Sequence, residues 1–276
     1  SNSSGSGSGS GSERPSAVDE YAASGNVSRQ TGWFPISYTE QPHRSAIWRL
    51  QQQMGDNAAS ALNCPETWIQ SKDPLVAEFF RLERGSREEQ SVVLPFRNTM
   101  TEDVEILAVD RIQNVSMWQS YAVKRRTLLE RERQFNHHEA SRFERFPLFH
   151  GTREDVVRKI VQQGFNRSFC GKNAVFYGRG VYFARDSSYS ASRRFAVPND
   201  KGVQFVFACR VLVGEYAKGH KDALTPDVRD PVTAQLYDSS VDVLDNPSIF
   251  VTYHDSQAYP EYLVQFRRRD PRTNAH

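Results

Sequence analysis

The chain has 276 residues, 38% of them hydrophobic and 12% aromatic, with a formal net charge of +2. This is enough chain to bury one large core, and a charge too close to balance to predict nucleic-acid binding. No apolar run approaches the roughly 20 residues that span a bilayer, and the first residues lack the basic start and apolar stretch of a secretory signal. A cytoplasmic or nuclear protein, monomeric by default and with no membrane partner, is expected. Cys64, Cys170 and Cys209 are odd in number and widely spaced, so they read as free thiols of a reducing compartment rather than as metal ligands or a disulfide framework.

Residues 1–12 are a Gly/Ser tract that behaves as a flexible coil. Residues 13–60 stay polar, apart from Trp33 and a short amphipathic turn at Ile47, Trp48 and Leu50. The stretch 1–60 is therefore read as a flexible, low-complexity or partly ordered segment. From Pro65 the texture changes. Residues 75–82 place Leu75, Phe79 and Leu82 on one helical face, residues 104–111 alternate as a strand does, and residues 115–133 form a helix with Met117, Trp118, Tyr121 and Ala122 inward. A short strand at 146–149 leads to a helix over 153–163, with Thr152 as its cap, Asp155 three residues on, Val156, Val157, Ile160 and Val161 buried, and Gly164 ending it. Strands follow at 180–184, 203–213, 248–253 and 261–266. Only one helix clearly separates any two of them, so the fold class is α+β, mainly antiparallel, with flanking helices.

The sequence has no GxxxxGK[ST] phosphate loop, no GxSxG elbow, no paired CxxC and no GxGxxG spacing in its Gly-Arg-Gly stretch. It does have His150, Gly151 and Thr152 at the exit of a buried strand, and Tyr182 at the start of another bounded by glycine. Glycine opens its backbone to close approach, and neutral His offers a hydrogen bond without a fixed charge. An aromatic face, a hydroxyl and a free backbone amide pair are what a flat heteroaromatic amide needs. Structural readings, a Tyr-rich core strand and a structural His, remain open on the residues alone.

His150-Gly151-Thr152, Gly164-Phe165-Asn166, Gly171-Lys172-Asn173-Ala174 and Tyr177-Gly178-Arg179-Gly180-Val181-Tyr182-Phe183-Ala184 together resemble the poly(ADP-ribose) polymerase (PARP) catalytic domain. This is the diphtheria-toxin-like branch of the ADP-ribosyltransferases. The likeness extends to Ile112-Gln113-Asn114, Trp118-Gln119-Ser120-Tyr121, Asn246-Pro247-Ser248-Ile249-Phe250-Val251 and Ala258-Tyr259-Pro260-Glu261-Tyr262-Leu263. It implies a split, mainly antiparallel sheet, a catalytic domain over 61–270, and NAD+ as a consumed co-substrate with no metal.

The resemblance also implies roles. His150 would hold a ribose 2′-hydroxyl, the Gly151 backbone would clamp the carboxamide, Tyr182 would lie against nicotinamide, and Ser190 would bond the carboxamide oxygen. Phe195 takes the place of a second stacking Tyr, keeping the ring and losing the hydroxyl. Residues 165–177 would line the donor pocket, and Thr152, Tyr177, Ala184 and Tyr189 would border NAD+. Polymerising members carry Glu where this chain has Ile249, a His-Tyr-Ile triad of the mono-ADP-ribosylating kind. Glu261 belongs to the shared Tyr-Pro-Glu-Tyr segment and does not replace that acid. Transfer of one ADP-ribose to a protein acceptor, by default at Glu or Asp, is thus expected. The alternatives are an inactive NAD-pocket scaffold, or modification of nucleic-acid ends guided by Arg267, Arg268, Arg269 and Arg272 or by Lys124, Arg125 and Arg126.

Overall fold

In a computed structural model the described residues are 64–69, 76–134, 143–167 and 176–269. The readings at 1–60, at Leu75, Cys170 and Arg272, and for most of the Gly171–Ala174 neighbourhood therefore lie outside them. All described residues belong to the unit Met54–His276. No helix among them is long and apolar enough to cross a membrane.

The chain runs β1 (Glu78–Arg81), α1 (Arg87–Asn98), β2 (Val104–Gln113), α2 (Val115–Gln134), β3 (Glu144–Thr152), α3 (Glu154–Gln163), β4 (Val181–Ala184) and α4 (Ser187–Ser190). It continues with β5 (Val203–Leu212), β6 (Tyr216–Lys218), β7 (Val228–Asp230), β8 (Gln235–Leu236), β9 (Ser239–Val241), β10 (Ile249–Thr252), a 3-10 turn (Asp255–Gln257) and β11 (Ala258–Arg268). Among the described residues nine strands form one sheet in the order β1-β2-β11-β5-β3-β4-β10-β9-β6, and β7 and β8 pair by themselves. Every pair in the large sheet is antiparallel except β6 with β9. This is the expected α+β architecture, and the four main strands of the C-terminal half fall where the alternation places them.

Two local expectations fail. The helix anticipated over 75–82 is instead the strand β1, registered Glu78↔Gln113 to Arg81↔Asp110 on β2. An apolar run this short satisfies either period, and here pairing with a sheet edge decides. The helix of this region lies a few residues later: Ser86 caps α1 by accepting from the Glu89 N–H at 3.2 Å, while Glu89 accepts from Gly85 N–H. Second, Thr152 does not cap α3. It is the buried last residue of β3, Arg153 holds the cap position, and no side chain bonds the helix start. Gly164 does end α3, at φ +80°.

The two sheet faces carry different cores. Phe183, Phe205, Phe207, Phe250, Leu148 and Leu263 pack under α3 on one face, while Phe149, Val206, Val264 and Phe266 meet α1 on the other. Strand alternation accounts for the division, since neighbouring residues point to opposite faces. On α2, Tyr121, Ala122 and Leu128 are buried, and Trp118 packs with Trp68, Tyr121 and Tyr259. The motif residues Asn114 and Tyr259, 145 positions apart, meet there. Tyr259 Oη accepts from the Asn114 N–H at 3.1 Å and donates to Ile112 C=O at 3.0 Å, and Asn114 Oδ1 accepts from Met117 N–H to cap α2. These parts of the family signature build the scaffold.

Candidate active site

Strand β3 pairs with β5 along most of its length but touches β4 in register only at Phe149↔Ala184. Beyond that pair the two strands part, and the segment His150–Thr152 loses its neighbour on the β4 side. The sheet is split there, and the split is bordered by His150, Gly151, Tyr182 and α4.

His150 bridges it. The carbonyl of Tyr182 can only accept, so the bond of 2.8 Å to His150 Nδ1 fixes the proton on Nδ1. The imidazole leans edge-on against Phe165 (4.9 Å between centroids) and lies 5.6 Å from Phe183. Burial among these rings pushes its pKa below the ordinary 6.5, outweighing the opposing effect of the Tyr182 carbonyl. A neutral ring with Nδ1 protonated leaves Nε2 as a lone-pair acceptor.

Gly151 is required by a close approach. A Cβ there would sit 1.9 Å from the Ser190 carbonyl oxygen, so α4 is seated directly on the β3 backbone. Ser190 is buried, and its hydroxyl donates to the Phe149 carbonyl at 2.8 Å. That proton is thus committed within the protein, and donation to a carboxamide requires Oγ to turn away from Phe149. Tyr189 and Phe195 stack on one another, 5.1 Å apart and 28° from parallel, with Tyr189 43% exposed. The Phe at 195 therefore presents an aromatic wall together with Tyr189. Thr152 is buried in the strand after Gly151.

On the other side of β4, the register puts Tyr182 opposite Val251 and Ala184 opposite Ile249. Residues paired in this way share a face, so Tyr182, Ala184, Ile249 and Val251 lie in one patch, with Tyr177 and Tyr253 packed into it. Ile249 is 4% exposed, and its N–H donates to Asp242 Oδ1 at 3.1 Å. A cavity of about 400 Å³ opens beside it, lined by Ala184, Asp186, Ser188, Tyr189 and Ser248 among others. Position 249 is therefore packed in the same patch as Tyr182, at the edge of this cavity, and its own side chain carries no ionisable group.

Glu261 lies elsewhere. It is buried on β11, 2.6 Å from Arg210 Nε, and burial raises its pKa even against that cation. Three arginines of the basic stretches are paired within the protein. Arg268 pairs with Glu102 and Gln204, Arg269 with Asp103, and Arg125 with Glu144. Among the described residues no three His, Cys, Asp or Glu side chains form a metal-binding group. Sequence reasoning missed Phe165 and Phe183 as the walls of His150, Asp242 as the clamp on Ile249, and Tyr253. The last had a visible signal, since alternation along 248–253 puts it on the face of Ile249.

The profile of the PARP family, "Poly(ADP-ribose) polymerase catalytic domain", matches residues 86–268. The chain belongs to this family. It is similar to mouse "Protein mono-ADP-ribosyltransferase PARP10", 37% identical over 73% of this chain and 20% of that protein. It is likewise similar to human "Protein mono-ADP-ribosyltransferase PARP14", 38% identical over 66% of this chain and 10% of the relative, and to mouse "Protein mono-ADP-ribosyltransferase PARP11", 30% identical over 75% and 65%. The chain thus spans only a fifth and a tenth of the first two. What it shares with them is the PARP catalytic domain, and the split sheet with its His, Gly and Tyr lies inside the matched residues.

Proposed function

We propose that this PARP catalytic domain transfers one ADP-ribose unit from NAD+ to a protein acceptor. The C1′–N bond of the nicotinamide ribose breaks, nicotinamide leaves with the bonding electron pair as a neutral base, and an acceptor oxygen forms the new bond to C1′. An Asp or Glu acceptor is already ionised at neutral pH, so the step needs no general base. His150 Nε2 receives a ribose hydroxyl, the Gly151 backbone and Ser190 hold the carboxamide, and the Tyr182 ring packs against nicotinamide with Tyr189 and Phe195 closing the pocket. Holding a cationic leaving group in this orientation supplies rate through positioning and through exclusion of water.

The observation that carries the single-unit reading is Ile249, buried opposite Ala184 on the face of Tyr182. A carboxylate there could polarise a ribose hydroxyl for chain growth, and an isobutyl-sized hydrocarbon cannot. Incubation with NAD+ followed by mass spectrometry tests this. Adducts of one ADP-ribose, absent in His150→Ala, are expected. Ladders of two or more units on one side chain would overturn the single-unit reading, and no adduct on any acceptor would overturn transfer itself.

A further inference from the structure

The turn that leads into β4 is held from two sides by tyrosine hydroxyls. On one side Tyr182 Oη accepts from the Tyr177 N–H at 3.0 Å and donates to the Gly178 carbonyl at 2.8 Å. On the other, Tyr253 Oη donates to the Tyr177 carbonyl at 3.3 Å. Having spent its one proton there, Tyr253 accepts from Ser240 Oγ, 3.0 Å away. The fit has no slack. A Cβ on Gly178, where φ is +124°, would lie 1.9 Å from Tyr253 Oη, and one on Gly219 would lie 2.3 Å from the Tyr177 carbonyl oxygen. Tyr253 itself is 3% exposed and packs with Ile249, Val251, Tyr177 and Tyr182.

A Phe at 253 would fill the same space. Burying the hydroxyl has a desolvation cost that only its hydrogen bonds offset, and one of those ends on the turn. We propose that Tyr253 is a positioning residue for the nicotinamide site, fixing the Tyr177–Gly178 turn and, through it, the ring of Tyr182. The proposal rests on the NAD+ reading above. Tyr253 does not touch the substrate. It acts at a distance of one peptide by keeping the Tyr182 hydroxyl latched, so that the ring is already in place when nicotinamide arrives and no binding energy is spent on ordering it.

The test is Tyr253→Phe in the full chain. It is read by calorimetric affinity for benzamide, a nicotinamide mimic that needs no turnover, together with KM for NAD+ and kcat. Losing about one net hydrogen bond of preorganisation predicts benzamide affinity weaker by roughly three- to tenfold, a matching rise in KM, and kcat changed by less than about twofold. In a double-mutant cycle with Tyr182→Phe the two losses should be strongly non-additive, since both act through the same turn. Unchanged benzamide affinity alongside a lowered Tm, or fully additive losses, would reduce Tyr253 to a structural residue and overturn the proposal. If Tyr253→Phe does not fold, Tyr182→Phe releases the other hydroxyl that holds the same turn, and unchanged benzamide affinity in that variant is equally decisive. Wild-type protein that binds neither benzamide nor NAD+ would instead bring down the NAD+ reading, and this inference with it.

Discussion

Gly151→Ala is the sharpest perturbation the site permits, because one methyl group meets backbone. The new Cβ would lie 1.9 Å from the Ser190 carbonyl oxygen, 3.0 Å from the Ser190 carbonyl carbon and 3.1 Å from the Ala196 nitrogen, where ordinary contact starts at 3.4 Å. No rotamer change relieves a clash with main chain, so α4 must withdraw from β3 by about 1.5 Å. Overpacking of this kind costs about 1–3 kcal/mol. The same withdrawal takes Ser190 Oγ out of reach of the Phe149 carbonyl, now 2.8 Å away, and losing that buried bond adds about 0.5–1.5 kcal/mol. The expected total is about 1.5–4.5 kcal/mol. For a domain of this size each kcal/mol lowers Tm by roughly 2–4 °C, so a fall of roughly 3–18 °C should appear in calorimetry. Benzamide affinity should fall more than about tenfold, because both groups proposed to hold the carboxamide, the Gly151 backbone and Ser190, move. A Tm within about 2 °C of wild type with benzamide binding retained would refute the reasoning and mean that α4 does not rest on Gly151.

The other predictions concern charge and volume. His150 has a pKa lowered by burial, so its neutral, accepting form persists below pH 6.5, and the acid limb of kcat/KM should fall below that value. The sign for stability agrees: folding favours the neutral ring, so the His150 contribution is undiminished above 6.5 and is lost as pH drops from there toward the depressed pKa. A limb centred above 6.5 would count against the assignment. Ile249→Ala empties a site that is 4% exposed and should cost about 2–5 kcal/mol while leaving the adducts at one unit per acceptor, since Ala also lacks a carboxylate; longer chains in that variant would show that the bulk of Ile249, rather than the missing acid, limits product length. Asp242 is partly desolvated, which raises its pKa, but bonds from Ser248 and the Ile249 N–H overcome this and hold it below 3.8. Its stabilisation is therefore complete above the ordinary carboxylate range and fades only as pH falls through the depressed value. Asp242→Asn should lower Tm at neutral pH and narrow the gap to wild type in strong acid; a Tm difference independent of pH would contradict the clamp.

Local chemistry was legible wherever one period or one motif had no competitor. The 203–213 run reads as a buried strand and is β5 at Val203–Leu212, and the apolar faces of α2 and α3 were visible in their spacing. The Ser86-x-x-Glu89 capping signature is equally local, whereas the short run 75–82 fits a helix or a strand until a sheet edge claims it. Thr152 shows the same limit in reverse. Its position before a helical pattern suits a cap, but strand pairing with Phe205 carries the extended backbone one residue further. The ordered motifs from Ile112 to Leu263 carried the resemblance to the PARP catalytic domain, and the sequence alone shows that position 249 is an uncharged Ile.

What only the tertiary structure decided is how those residues meet. That β3 and β4 part after Phe149↔Ala184, that the Nδ1 proton of His150 is fixed by the Tyr182 carbonyl, and that Gly151 makes room for the Ser190 carbonyl all depend on strands brought together across tens of residues. So does the latch of Tyr253 on Tyr177, 76 positions earlier. The physical reason is that a sequence states the period and chemistry of each segment, whereas register, close approach and hydrogen-bond partners arise only when separate segments compete for the same space.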